Sequence, residues 1–131
     1  MQANGEFKVT VQPLDPYAKG NEGMSLGRMS IDKTFQGDLA AQSQGEMLSA
    51  MTPVKGSAGY VAIEQVTGNL GGKEGSFVLQ HFGIMSQGEN RQILEVVPDS
   101  GTGQLSGLSG EMVIIIKDGK HFYEFQYSLA E

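Results

Sequence analysis

Hydrophobic and polar positions alternate along most of this chain. In residues 6–14, EFKVTVQPL, Phe7, Val9 and Val11 fall on one face, and Glu6, Lys8, Thr10 and Gln12 on the other. That is the period of a half-buried strand. Pro13 and Pro16 end it, and Asp15 to Gly23 is a polar loop. Residues 24–36 set Met29, Ile31 and Phe35 against Arg28, Ser30, Asp32 and Thr34, and Gly37-Asp38 signals a turn. A third, weaker strand from Leu39 to Met51 carries the small residues Ala41, Ser43 and Gly45 on one face. Residues 57–70 predict a fourth, with Tyr60, Ala62, Glu64 and Val66 together, and Gly71 to Gly75 forms a hairpin loop.

The fifth strand, Ser76 to Ser86, is apolar on both faces: Phe77, Leu79, His81 and Met85 share one, and Val78, Phe82 and Ile84 the other. Arg91 to Pro98 is the sixth, followed by a glycine-rich crossing from Asp99 to Gly110. Glu111 to Lys117 is the seventh, and Asp118-Gly119 is the strongest hairpin signal in the chain. The last strand places His121, Tyr123, Phe125, Tyr127 and Leu129 opposite Glu124, Gln126 and Ser128. Eight strands joined mostly by tight turns, with no helical period, predict an all-β fold: a closed antiparallel eight-stranded barrel with little helix. Closure removes the exposed edges of so long a meander. An open sandwich is the alternative. The 131 residues fit one domain, 1–131.

Composition narrows the functional classes. With no cysteine there is no disulfide framework and no thiolate metal site, which agrees with a cytoplasmic location. The N-terminal MQANGEFKV has neither the basic start nor the apolar run of a signal peptide, and no stretch reaches a membrane span. Net charge is −6 and the basic residues are scattered singly, so neither a nucleic acid nor a membrane is expected as partner. Apolar residues on both faces of Phe77–Ile84 and Met112–Ile116 exceed what one barrel interior covers, and predict a homodimer.

Gly101 to Gly107, GTGQLSG, invites comparison with a phosphate loop. It precedes a β-branched run rather than a helix and no Gly-Lys-Ser/Thr follows, so a turn and bend is the reading. His81 and His121 lie forty residues apart with no His-x-His pair, so no metal and no cofactor are expected. No catalytic signature stands out. Glu64 lies among apolar neighbours: either it points to solvent, the simpler reading, or it points inward with a raised pKa as a general acid or base. Met29, Met47, Met51, Met85 and Met112 are core filler, or a pliable lining if several face one cavity.

The segments GSFVLQHFG, VVPDSGTGQLSGLSG and HFYEFQYSL, in that order, resemble a family of short bacterial proteins of unknown function that look like allene-oxide-cyclase-like, calycin-like barrels. The resemblance implies the closed barrel and implies no reaction. The leading expectation is a barrel with a mainly apolar cavity for a small amphipathic ligand, lined by His81, His121, Tyr123, Tyr60, Glu64 and Phe77. An isomerase or cyclase that shapes its substrate, and a filled barrel serving as a structural or partner-binding domain, are the other two.

Overall fold

The structure, a computed structural model, describes residues 1–130; Glu131 lies outside the described residues. Eight antiparallel strands close into one barrel in sequence order: β1 Gln2–Leu14, β2 Ser25–Gly37, β3 Leu39–Met51, β4 Ala58–Leu70, β5 Lys73–Ser86, β6 Glu89–Val96, β7 Leu108–Lys117 and β8 Lys120–Leu129. β8 returns to pair with β1 from Gln2↔Gln126 to Phe7↔His121. Among the described residues the one helical element is a three-residue 3-10 turn, Gly103–Leu105, and no helix is long and apolar enough to cross a membrane.

Local chemistry sets the corners. The turns Gly71-Gly72, Gln87-Gly88 and Asp118-Gly119 have two residues each, and all six have positive φ. That conformation matches the twist of the flanking strands, and glycine adopts it without steric cost. The five-residue loop expected at 71–75 is therefore tighter: β5 begins at Lys73, directly after two glycines.

The two ends of the barrel differ. At the closed end Phe35, Leu39, Leu70, Phe77, Leu105, Leu108 and Phe125 form one buried cluster, with Phe77 stacked on Phe125 at 5.8 Å between ring centroids. The crossing from β6 to β7 seals this end. Past Val96, β5 has lost β6 as a neighbour, and the crossing takes over its free edge. Thr102 N donates to Ser76 O at 2.8 Å, Ser76 N to Thr102 Oγ1 at 3.0 Å, and Val78 N to Ser100 Oγ at 3.0 Å. Leu105, 1% exposed, is driven in as a plug. The glycine-rich stretch is thus a lid on the core, bent by a single 3-10 turn.

The other end is a mouth, ringed by the loops 15–24 and 52–57 and the tips of the β5–β6 and β7–β8 hairpins. Along most strands the inward parity loses burial toward this mouth. Phe7 is buried, Val9 half-buried and Val11 48% exposed; Ser43 is buried, Met47 half-buried and Met51 58% exposed. The seam between β6 and β7 holds only two residue pairs, Leu94↔Met112 and Glu95↔Glu111. Above it the two strands separate.

Tyr123 locks the closed end across the β1–β2–β3 corner. Its hydroxyl accepts from Leu39 N at 2.9 Å and donates toward Gln36 O at 2.9 Å, while its ring covers Gly5, where a Cβ would lie 2.6 Å from that hydroxyl. Tyr123→Phe leaves the buried Leu39 N–H without a partner. The expected loss is about 1–3 kcal/mol in urea unfolding, with the m-value unchanged.

Candidate functional site

Midway up the barrel a set of polar side chains interrupts the apolar interior. Lys33 (β2), Ser43 (β3), Glu64 (β4) and His81 (β5) are all buried and all inward. Register brings them together: Lys33 lies directly across from Ser43, and Ala62 across from His81. Glu64, opposite Gly45, is the diagonal neighbour of both Ser43 and His81. Gly45 is needed there, since a Cβ would fall 2.6 Å from Glu64 Cα.

Glu64 is the hub, with 0% of its surface exposed. Its Oε1 accepts from Ser43 Oγ at 2.7 Å. Its Oε2 accepts from Lys33 Nζ at 2.8 Å and meets His81 Nε2 in a short hydrogen bond. The Lys33 ammonium also sits 4.8 Å from the centroid of Phe7 and 5.8 Å from that of Phe35, where the ring faces attract a cation. The sequence favoured a solvated Glu64, which its burial corrects; the inward alternative holds in orientation but not in its raised pKa. Burial does push the carboxyl up, but the hydrogen bond from His81 and the charge of Lys33 outweigh it, bringing the pKa from 4.5 down to about 2.

The other candidates occupy different places. Phe77 and Tyr123 belong to the closed end, 1% exposed each. His121 packs on Phe7, ring centroids 5.2 Å apart, and lines a cavity of about 320 Å³ at the β1–β8 seam. Tyr60 stands near the mouth, where its hydroxyl accepts from Gln92 Nε2 at 2.6 Å and its ring covers Gly83. With Gln92, Ile114 and Ile116 it borders a cavity of about 290 Å³ where β6 and β7 have separated. Met29, Met47, Met51, Met85 and Met112 all lie on the inward parity, the first four toward the mouth.

Lys33 and Ser43 were missed as site residues. Lys33 shares its face with Met29, Ile31 and Phe35, and a lone charge on an apolar face was the available signal. Ser43 is one of the small residues that make β3 look weak. Among the described residues no group of three His, Asp or Glu side chains could hold a metal ion.

The arrangement is an ionised carboxylate clamped by three donors, with imidazole and ammonium on the same oxygen. A carboxylate whose folded pKa lies below its unfolded value stabilises the fold above about pH 4.5, and that contribution is lost as pH falls toward 2. It amounts to roughly 3 kcal/mol. Stability measured by urea unfolding should therefore decline between these limits, and Glu64→Gln should flatten that part of the profile while lowering stability at neutral pH.

The family described as "Protein of unknown function (DUF3224)" matches residues 3–127. The crystal structure of a DUF3224 protein of unknown function from Shewanella oneidensis is similar to this one throughout, with a TM-score of 0.98 and 61% sequence identity, covering 100% of this chain and 98% of that one. No curated protein matches the chain. This chain belongs to the DUF3224 family, whose barrel it shares from the first strand to the last.

Proposed function

We propose that the protein binds a small amphipathic molecule inside the barrel, apolar body toward the mouth and polar end on the floor formed by Lys33, Glu64 and His81. The observation that carries this reading is a buried charged cluster midway up the barrel, above which the inward residues lose burial toward the mouth. Ile116, on the inward parity, is 68% exposed. A buried ion pair is a poor stabiliser, because apolar residues of similar volume often do as well or better. Its presence beneath an open cup suits recognition of a polar group. The methionine lining suits ligands of varied shape.

Anilinonaphthalene sulfonate, an apolar body with one anionic end, is a direct probe. Its fluorescence should rise on saturable binding. Lys33→Met should weaken that binding about tenfold, the cost of one hydrogen bond to a charged group. The variant should stay folded, because His81 and Ser43 still hold Glu64. Absence of saturable binding to the wild type would remove the reading.

A second copy of the chain is the partner we propose for the outer wall. Register places Leu48, Val61, Phe82 and Ile93 in one unbroken row across β3, β4, β5 and β6, with exposed Ile63 and Ile84 flanking it. The Arg28–Glu46 ion pair and Arg91 border this stripe, so it has the apolar centre and charged rim of an interface. Sedimentation at micromolar concentration should give a dimer, and Val61→Lys should return the 14.0 kDa monomer.

A further inference from the structure

We infer that the floor of the cup is a proton-transfer centre, in which His81 Nδ1 removes and returns a proton beside the carbonyl of an enolisable apolar substrate. This rests on the ligand-binding reading and adds a reaction to it.

The tautomer of His81 follows from its partner. An ionised carboxylate can only accept hydrogen bonds, and Glu64 Oε2 faces His81 Nε2. Nε2 therefore carries the hydrogen, and in the neutral ring Nδ1 holds a lone pair. Nδ1 has no protein partner, yet no sealed polar side-chain atom among the described residues lacks one. The nitrogen therefore keeps a trace of accessible surface, although His81 as a whole is buried. A base oriented by a buried carboxylate, with its basic nitrogen free, has the geometry of a general base.

Beside it stands a fixed cation. Lys33 Nζ shares Oε2 with the imidazole, gives Glu64 one of its three donors, and is held against Phe7 and Phe35. A preset ammonium in a water-poor setting stabilises negative charge developing on an oxygen close by. A base and a cation held on one carboxylate oxygen are the two functions that enolisation requires.

The step balances without another reactant. His81 Nδ1 takes the α-proton of a β,γ-unsaturated ketone. The C–H electron pair becomes the new carbon–carbon double bond, and the carbonyl π pair moves to oxygen, giving a dienolate that accepts a hydrogen bond from Lys33. The imidazolium then returns the proton from Nδ1 to the γ-carbon, leaving the conjugated ketone and a neutral imidazole. Nothing is oxidised or reduced.

A β,γ-cyclohexenone tests this with the full chain, its conversion to the conjugated isomer followed by ultraviolet absorbance. Conversion should exceed that of free imidazole at equal concentration. His81→Gln keeps an N–H for Glu64 but has no base, and should lower the rate by at least about 100-fold, far more than it weakens sulfonate-dye binding. Glu64 is a positioning residue: Glu64→Gln should lower kcat with KM little changed. Nitrogen–proton correlation spectra of the wild type supply a readout that needs no variant, and should show the hydrogen on Nε2. Dye binding without conversion, undiminished conversion in His81→Gln, or a hydrogen on Nδ1 alone would overturn the proposal and leave the binding reading standing. Loss of dye binding itself would remove the binding reading instead.

Discussion

A carboxylate with no exposed surface must be compensated where it sits, and much of the barrel's interior is arranged to do so. Glu64 would cost several kcal/mol if it were desolvated alone. Its donors come from β2, β3 and β5, and the backbone facing it must be glycine. Four consecutive strands are thereby bound to one alignment. A slip of one residue in any of them turns its donor to the outer wall and strands the charge. The apolar closed end is more tolerant, since one aliphatic side chain can replace another at modest cost. The polar floor thus specifies register, while the apolar cluster supplies most of the burial.

Most of the architecture was legible because period-2 alternation and turn chemistry agree along nearly the whole chain. Asp118-Gly119 and the 39–51 strand come out of the residues directly, and the barrel follows from the number of strands. The interior was harder. On β4 the residues flanking Glu64 are apolar on both parities, Val61 and Ile63 outside, Ala62 and Val66 inside, so alternation could not orient the carboxyl. Its inward position depends on Lys33, thirty-one residues away, and no local pattern carries that pairing. Tyr123 and Phe77 were correctly placed on the inward faces, but parity says nothing of depth. Depth is set by stagger between strands, and it separates the sealed core from the cup.

The two walls of the barrel do different physical work. Inside, small and flexible residues line the barrel toward the mouth, where burial gives way to exposure. Outside, β-branched and aromatic residues on β4 to β7 form a surface more apolar than a solvated strand face requires. The double-sided apolar character of β5 and β7 is therefore two separate features superimposed on the same strands.

The short β6–β7 seam bears on how such a chain folds. Every other neighbouring pair of strands is joined through a longer ladder. Here two pairs close the circle, and one of them sets Glu95 against Glu111 on the outer wall, where like charges oppose each other. The hairpins β2–β3, β3–β4 and β4–β5 involve local contacts and can form early, whereas contacts distant in sequence incur loop-closure entropy before they return any stability. By that measure the β1–β8 ladder, which sets Gln2 against Gln126, fastens last, although the β6–β7 clasp is the shorter of the two. The same clasp, being the least stable contact in the circle, is where the native barrel would part most often, and it does so beside the cavity bordered by Tyr60 and Gln92.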